Sequence, residues 1–167
     1  MKTIASFQVD HNILEPGMYI SRRDGDVITY DLRMKKPNSG DYLDNGTLHT
    51  IEHLLATYVR NSVFADRVVY AGPMGCRTGF YLLLRDSVSK KDAITLVRNA
   101  FDYISGFNGD IPGASKRECG NYLNQDPVGA RREALAYGWI IESWTPEQMP
   151  PPWRASPAGM RGAGEGL

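Results

Sequence analysis

The spacing of apolar residues changes several times along the chain, and each change predicts a different element. Residues 27–33 follow the turn sequence Asp-Gly-Asp at 24–26 and favour a strand. Residues 67–73 and 78–85 are two further strand-like apolar runs, and the short connection at 74–77 predicts a hairpin. Neighbouring strands that pair as hairpins are typical of an antiparallel sheet.

Helical spacing replaces strand spacing in two long segments. In residues 47–62 the apolar side chains recur every three or four positions, which predicts an amphipathic helix. A second apolar stripe runs through residues 89–106 and begins behind Ser89 and Asp92, a pair that resembles a capping box. Both stripes predict helices that bury one face.

Two irregular segments and a third helix complete the prediction. Residues 37–46 are rich in asparagine, glycine and aspartate, and residues 108–125 show no period, so both read as loops. A helix is predicted from Asp126, a capping residue followed by proline, to about Tyr137. Gly138 is the predicted stop of that helix.

These elements predict an α+β fold, an antiparallel β-sheet with helices packed on one face, because the strands do not alternate with helices. A chain of 167 residues can bury a core as one domain, which we assign to residues 1–144. Residues 145–167 contain five prolines and four glycines and little apolar periodicity. We therefore expect a mobile tail there.

The charge balance narrows the class of partner. Lysine plus arginine number 19, as do aspartate plus glutamate, so nothing attracts the chain generally to nucleic acid or to an anionic membrane. The N-terminus lacks the apolar core of a signal peptide, and no window approaches the roughly 20 apolar residues of a membrane span. We expect a cytoplasmic protein with a small-molecule partner, in which Cys76 and Cys119 do not form a disulfide.

A histidine pair is the strongest chemical signal in the chain. His49 and His53 lie four residues apart on a predicted helix, so both imidazoles can reach one metal ion, and Glu52 lies beside them as a candidate base. Chance placement of two surface histidines gives the same pattern. Cys119 is a candidate third ligand, although a lone cysteine is as often a small buried apolar residue.

Two other readings of this pattern stay open. The HxxEH order also marks peptidases of the inverted-motif kind, in which a downstream acid such as Glu118 is the third ligand. A purely structural site is the other reading, and His11 is a candidate fourth ligand that would close it.

Several runs resemble one family, the S-ribosylhomocysteine lyases of the LuxS type. Residues 48–54 (LHTIEHL) resemble its metal motif, residues 73–81 (PMGCRTGFY) its catalytic-cysteine segment, and residues 118–120 (ECG) its third-ligand segment. Residues 6–11 (SFQVDH) and 30–33 (YDLR) resemble its substrate-contacting stretches. The runs occur in the family's order, and their combination is far more specific than HxxEH alone.

The resemblance implies a site, a reaction and an assembly. The implied reaction converts S-ribosylhomocysteine to homocysteine and 4,5-dihydroxy-2,3-pentanedione, the precursor of autoinducer-2, by carbonyl migration and β-elimination of the thiol. It implies one divalent metal per subunit, Fe²⁺ with Zn²⁺ or Co²⁺ as substitutes, and a homodimer with active sites at the subunit interface. The implied residues are the metal ligands His49, His53 and Cys119, the acid/base pair Glu52 and Cys76, and the substrate contacts Ser6, His11 and Arg33.

The implied reaction explains why such groups are needed. Each carbonyl shift removes a proton next to a carbonyl, so a metal ion that acts as a Lewis acid and two flanking acid/base groups are useful. Arg33 ends a predicted strand and can pair with the homocysteine carboxylate through two hydrogen bonds, although an arginine at that place can equally lie in water.

Overall fold

The computed structural model describes residues 9–150, which form a four-stranded antiparallel sheet with three α-helices packed against it. The elements in chain order are β1 (Gly17–Asp24), β2 (Val27–Arg33), α1 (Asn45–Arg60), β3 (Val68–Pro73), β4 (Gly79–Arg85), α2 (Lys90–Ser105) and α3 (Pro127–Ile141). The strand order across the sheet is β1-β2-β4-β3, and every neighbouring pair is antiparallel. The predicted α+β class is confirmed.

Alternation along β2 separates an apolar face of the sheet from a polar one. Ile28, Tyr30 and Leu32 belong to the same buried cluster as the apolar faces of the helices. Asp31 and Arg33 alternate with Tyr30 and Leu32 along the strand and therefore point to the opposite face, where both are also buried. The helices cover the apolar face, and the polar face holds charged groups that need partners of their own.

β1 is the strand that the apolar pattern did not predict. Its apolar residues are confined to its first half, and the polar run from Ser21 onward hides the strand period. Distant groups hold it in place: the Tyr137 hydroxyl donates to the Gly17 carbonyl (2.9 Å), and the Trp144 indole donates to the Met18 carbonyl (2.8 Å). The strand is defined by its pairing with β2 and by these two hydrogen bonds. All of these contacts come from residues outside β1, so its own sequence does not reveal it.

The three helices lie at the predicted stripes, although α1 begins and ends two residues before its predicted bounds and the end of α3 differs. α2 begins as predicted, because the Ser89 side chain accepts a hydrogen bond from the Asp92 backbone N–H. The predicted stop of α3 at Gly138 is wrong, since the helix continues to Ile141. Tyr137 and Ile141 are one turn apart and both are buried, and this burial offsets the roughly 1 kcal/mol that a glycine costs inside a helix.

Residues 145–150 lie in the segment that the sequence assigned to a tail. Pro146–Gln148 form a short 3₁₀-helix, Met149 is buried in the core cluster, and its carbonyl accepts the Ile20 N–H (2.9 Å). The remainder of the predicted tail, 151–167, lies outside the described residues. Within the described chain, no helix combines the length and apolarity that crossing a membrane requires.

Candidate metal centre and catalytic cluster

α1 presents its two histidines at the margin of the core. Ile51 and Leu55 of this helix are completely buried, whereas His49 and His53 lie on an adjoining strip and are half-buried. Because the two histidines are one turn apart, their rings meet edge to face, with centroids 4.7 Å apart and an interplanar angle of 72°. The helix therefore fixes both rings before any ligand binds.

The irregular segment before α3 brings Cys119 to this helix. Asp126 anchors the end of this segment to α1. Its backbone N–H donates to the Thr50 hydroxyl (2.9 Å), and its carboxylate accepts from the Thr47 hydroxyl (2.9 Å). The Gly129 backbone N–H, together with the Thr47 bond, lowers the pKa of the Asp126 carboxyl. One aspartate thus caps α3 and ties the loop to the start of α1.

Three ligand atoms converge at the junction of α1 and this loop. The Nε2 atoms of His49 and His53 are 3.0 Å apart, and the Cys119 Sγ lies 3.3 Å from His49 Nε2. All three atoms lie within 4.8 Å of one another. The sequence prediction that these residues share a site therefore agrees with the geometry.

Backbone carbonyls fix which ring nitrogen of each histidine carries the proton. His49 Nδ1 lies 2.8 Å from the Asn124 carbonyl, and His53 Nδ1 lies 2.7 Å from the Pro112 carbonyl. A carbonyl only accepts, so both Nδ1 atoms donate, and in the neutral tautomer that a metal ion requires each Nε2 keeps its lone pair. The Gln125 amide is more distant from His49 Nδ1, at 3.3 Å, and does not change this assignment.

A cation explains this arrangement better than any hydrogen bond. Two neutral imidazoles with facing lone pairs repel each other at 3.0 Å, whereas a metal ion between them accepts both pairs. Metal–nitrogen bonds near 2.05 Å at a tetrahedral angle place two nitrogens about 3.3 Å apart. The Asn121 backbone N–H donates to Cys119 Sγ (3.4 Å) and fixes the position of the sulfur. The residues fit a metal ion.

The candidate catalytic cysteine lies on the turn between β3 and β4. Cys76 is exposed there, and the next residue, Arg77, has a left-handed backbone (φ 59°) that is unusual for a residue with a side chain. Gly79 ends the turn where only glycine fits, since a Cβ would lie 2.1 Å from the Leu32 carbonyl oxygen. Unusual backbone of this kind is often concentrated at functional sites.

A chain of polar contacts leads from Cys76 to the polar face of the sheet. Cys76 Sγ lies 3.0 Å from the Thr78 hydroxyl, which also accepts from Arg33 Nη1 (2.6 Å). Arg33 Nε donates to Asp31 Oδ1 (3.1 Å), and Nη2 donates to the other carboxylate oxygen. Burial raises the pKa of Asp31 and Arg33 lowers it, with burial dominant. Burial lowers the pKa of Arg33, but Asp31 raises it, and the pKa ends above its usual value.

The remaining predicted residues lie in different surroundings. Glu52 is half-buried on α1, and its carboxylate has no hydrogen bond or ion pair with any residue between 9 and 150. His11 Nδ1 donates to the Val9 carbonyl (2.9 Å). Burial raises the pKa of Asp31 and the charge of His11 lowers it, so His11 belongs with the polar cluster. Ser6 lies outside the described residues.

Sequence reasoning missed Thr78 and Asp31. The register of the strands would have indicated Thr78, because Arg33 pairs with Gly79 across β2 and β4 and Thr78 directly precedes Gly79. Thr78 is 2% exposed and Asp31 is equally buried, which makes both partners of Arg33 part of the interior. Asp31 accepts hydrogen bonds from Nε and Nη2 of Arg33. Only the remaining N–H groups of the guanidinium are therefore available to a ligand.

Comparison with known proteins decides between the readings of the HxxEH pattern. Residues 4–145 match the family model described as S-Ribosylhomocysteinase (LuxS). The chain belongs to the LuxS family. The predicted resemblance is therefore confirmed, and the reading as an inverted-motif peptidase is not supported.

LuxS relatives resemble this chain over most of its length, and each carries the name S-ribosylhomocysteine lyase, a carbon–sulfur lyase. The protein of Phocaeicola vulgatus is 46% identical over 142 residues, which cover 82% of this chain and 88% of that one. The Clostridium acetobutylicum protein is 48% identical, covering 75% and 83%. The Borreliella afzelii protein is 45% identical over 154 residues, covering 89% and 98%.

The ligand count of this LuxS chain separates an open site from a closed one. Among the histidines, cysteines and acidic residues of 9–150, only His49, His53 and Cys119 form a group that can hold a metal ion. The neighbouring Glu118 instead accepts from the Ser115 hydroxyl (2.6 Å). Neither Glu118 nor His11 joins the group. Three protein ligands are typical of catalytic sites, which keep a position for water or substrate.

Gly113 positions the carbonyl that orients His53, and its replacement by alanine tests this support. Its backbone is left-handed (φ +72°), and a Cβ would lie 3.3 Å from His53 Nδ1. We expect Gly113→Ala to displace the Pro112 carbonyl and weaken metal affinity about 10–100-fold, the usual effect of losing such a partner. Competition with a chelator measures the affinity.

Gly120→Ala is the matched control for that experiment. Gly120 lies in the same loop, next to Cys119, but a Cβ there meets nothing within 4 Å and its backbone is not left-handed. The control is expected to keep the wild-type affinity. Equal affinities in Gly113→Ala and Gly120→Ala would show that the Pro112 carbonyl does not support the site.

Proposed function

We propose that this chain cleaves S-ribosylhomocysteine to homocysteine and 4,5-dihydroxy-2,3-pentanedione, the precursor of autoinducer-2, with one divalent metal ion held by His49, His53 and Cys119. The observation that carries the proposal is the convergence of two histidine Nε2 atoms and one cysteine sulfur in a member of the LuxS family. The names of the relatives supply the substrate.

The proposed metal is Fe²⁺, with Zn²⁺ or Co²⁺ as substitutes. Two imidazoles and one thiolate suit all three ions, because this ligand set is of intermediate softness. When bound, the metal supplies a Lewis acid next to the oxygens of the sugar. The carbonyls of Pro112 and Asn124 hold the rings with their Nε2 atoms facing that position.

Glu52 and Cys76 are the proposed acid/base pair. A carbonyl shift takes a proton from the alcohol carbon beside the carbonyl and adds one to the former carbonyl carbon. One proton also passes from the alcohol oxygen to the former carbonyl oxygen, so the step balances. In the final elimination, a proton leaves one carbon, the carbon–sulfur bond breaks, and the thiolate takes up a proton as homocysteine. Glu52 has no competing partner among residues 9–150, and Cys76 is exposed on its turn, so both are free to exchange protons.

Substrate contacts are proposed for Ser6, His11 and Arg33. The N–H groups of Arg33 that Asp31 and Thr78 leave free are candidates for the homocysteine carboxylate. His11 lies close enough to the cluster to act on the charge of Asp31. The family resemblance, rather than a contact within this chain, supports the role of Ser6.

A cytoplasmic homodimer with active sites at the subunit interface is the proposed assembly. The helices cover one face of the sheet, and edge strand β3 exposes Val69 and Tyr70, which are 38% and 49% exposed. Large exposed apolar residues on an edge strand are suited to contact with another chain. Sedimentation equilibrium is expected to give twice the 18.6 kDa mass of the chain, and a mass equal to one chain would contradict this part of the proposal.

Thiol release tests the activity directly. The full chain is loaded anaerobically with Fe²⁺ or Co²⁺, mixed with S-ribosylhomocysteine, and assayed with a thiol reagent after the protein's own thiols are accounted for. We expect release of homocysteine that depends on both the metal and the protein. Glu142→Gln, which changes an exposed glutamate at the end of α3, is the control for the neutralising substitution Glu52→Gln. Release no greater than that of Glu52→Gln would overturn the proposed function.

A further inference from the structure

The contact between Arg33 and Thr78 fixes the direction of a hydrogen bond to Cys76. A guanidinium has only donors and stays charged, so the Thr78 hydroxyl oxygen must accept from Arg33 Nη1 at 2.6 Å. Asp31 binds two other nitrogens of Arg33 and holds the guanidinium in place. The oxygen of Thr78 is therefore an acceptor for Arg33 in every state of the cluster.

Among residues 9–150, the proton of the Thr78 hydroxyl has two sulfur acceptors, of which Cys76 is the nearer. Cys76 Sγ lies 3.0 Å from the hydroxyl oxygen, whereas the Met74 sulfur lies 4.0 Å away. Thr78 is 2% exposed, so bulk water does not compete for this proton. Donation from Thr78 to Cys76 completes a chain of bonds that runs from Asp31 through Arg33 to the sulfur.

We propose that Thr78 is a positioning residue, whose hydroxyl, oriented by Arg33, donates to Cys76 Sγ and stabilises the deprotonated sulfur. The proposal rests on the proposed function only in giving that sulfur an acid/base role. A thiolate has no proton to donate and accepts hydrogen bonds more strongly than a thiol does. Contact with a buried guanidinium polarises the Thr78 O–H group and strengthens its bond to sulfur.

Other charged and titratable groups also surround Cys76. Arg33 on β2 and Tyr81 on β4 both interact with it electrostatically, and Asp31 lies behind Arg33. Arg77, the next residue in the turn, lies over the Tyr42 ring at 5.9 Å. None of these groups is removed when Thr78 is changed, so a Thr78 substitution isolates the effect of the hydroxyl.

The side chain and the backbone of Thr78 have separate roles, which makes a substitution informative. The Thr78 carbonyl accepts the backbone N–H groups of Met34 and Lys35, at 2.9 Å each, and keeps the turn against the following loop. Thr78→Val preserves this carbonyl and the shape of the side chain but removes the hydroxyl. Thr78→Ser restores the hydroxyl without the methyl group.

The test measures alkylation of Cys76 by iodoacetamide as a function of pH, with the Zn²⁺-loaded full chain and mass spectrometry of the Cys76 peptide. We expect Thr78→Val to lower the alkylation rate at neutral pH about tenfold, the effect of losing a hydrogen bond to a charged group. The alkylation rate of Thr78→Val should begin to rise at a higher pH than the rate of the wild-type chain. Thr78→Ser is expected to stay within about twofold of wild type. Unchanged profiles in Thr78→Val would overturn the proposal.

A measurement on the wild-type chain keeps the proposal testable if Thr78→Val does not fold. Alkylation of folded wild-type Cys76 should begin at a lower pH than that of the same chain unfolded in urea, and coincidence of the two profiles would overturn the proposal. The assay needs no substrate. A normal alkylation profile without release of homocysteine would therefore contradict the proposed function and leave the role of Thr78 intact.

Discussion

Cys119→Ala is expected to abolish metal binding and, with it, release of homocysteine. The substitution removes the only anionic ligand of the group and leaves two neutral imidazoles. Removal of a direct ligand should cost more than the roughly 100-fold upper range for a supporting partner. Metal analysis after gel filtration is expected to fall from about one ion per chain to near zero, because three ligands are the fewest typical of such sites.

Cys76→Ala is the matched control, because it removes the other of the chain's two cysteines. It is expected to keep the full metal content, since Cys76 is not part of the ligand group. The opposite pattern, with metal lost in Cys76→Ala and kept in Cys119→Ala, would show that the roles of the two cysteines are exchanged.

Glu52→Gln and Cys76→Ala are each expected to keep the metal and the fold but to lower kcat about 10²–10⁴-fold, the usual contribution of an acid/base group. Glutamine has the shape of glutamate but cannot accept a proton. The half-buried position of Glu52 and the exposed one of Cys76 make a large change in stability unexpected. The rate of thiol release at saturating substrate measures the loss.

Exchange of substrate hydrogens with solvent deuterium separates the two roles. Each variant is expected to slow exchange at the carbons that its residue serves, which proton NMR of the recovered substrate can follow. Glu142→Gln serves again as the control for the neutralised carboxylate. A kcat within a few-fold of wild type in Glu52→Gln or Cys76→Ala would contradict the assignment of that residue.

The spacing of apolar residues predicted those elements whose own sequence shows a helical or strand-like period. The apolar stripe of α1 and the capping residue of α2 are local features, and both helices lie where the spacing placed them. β1 depends on partners elsewhere, such as the hydroxyl of Tyr137, and no short window contains that information. The end of α3 was misplaced for the same reason, because burial of Ile141 decides it.

The parts of the site formed by side chains were predictable from the sequence, whereas the parts formed by backbone groups were not. The helical spacing of His49 and His53 indicated a shared metal ion, and the family resemblance supported Cys119, which was already a candidate third ligand. The carbonyls of Pro112 and Asn124 were not predictable, because every residue has a carbonyl and its direction depends on the fold. These carbonyls nevertheless determine that Nδ1 is the donating nitrogen in both rings.

Strand register decides which arginine lies near Cys76, the proposed acid/base cysteine. Arg77 is the neighbour of Cys76 in sequence, yet its guanidinium lies over the Tyr42 ring. Arg33 is more than forty positions away but contacts Thr78 and, through it, the sulfur. An interpretation limited to sequence neighbours cannot find such a partner, whereas antiparallel pairing of β2 with β4 places it directly.

X-ray absorption at the metal edge of the Co²⁺- or Zn²⁺-loaded chain tests the central claim most directly. The geometry of His49, His53 and Cys119 predicts a first shell of two nitrogens, one sulfur and one oxygen from water, with that oxygen position changing when S-ribosylhomocysteine is added. A shell without sulfur, or one filled by four protein atoms and unaffected by substrate, would contradict an open catalytic site at these residues.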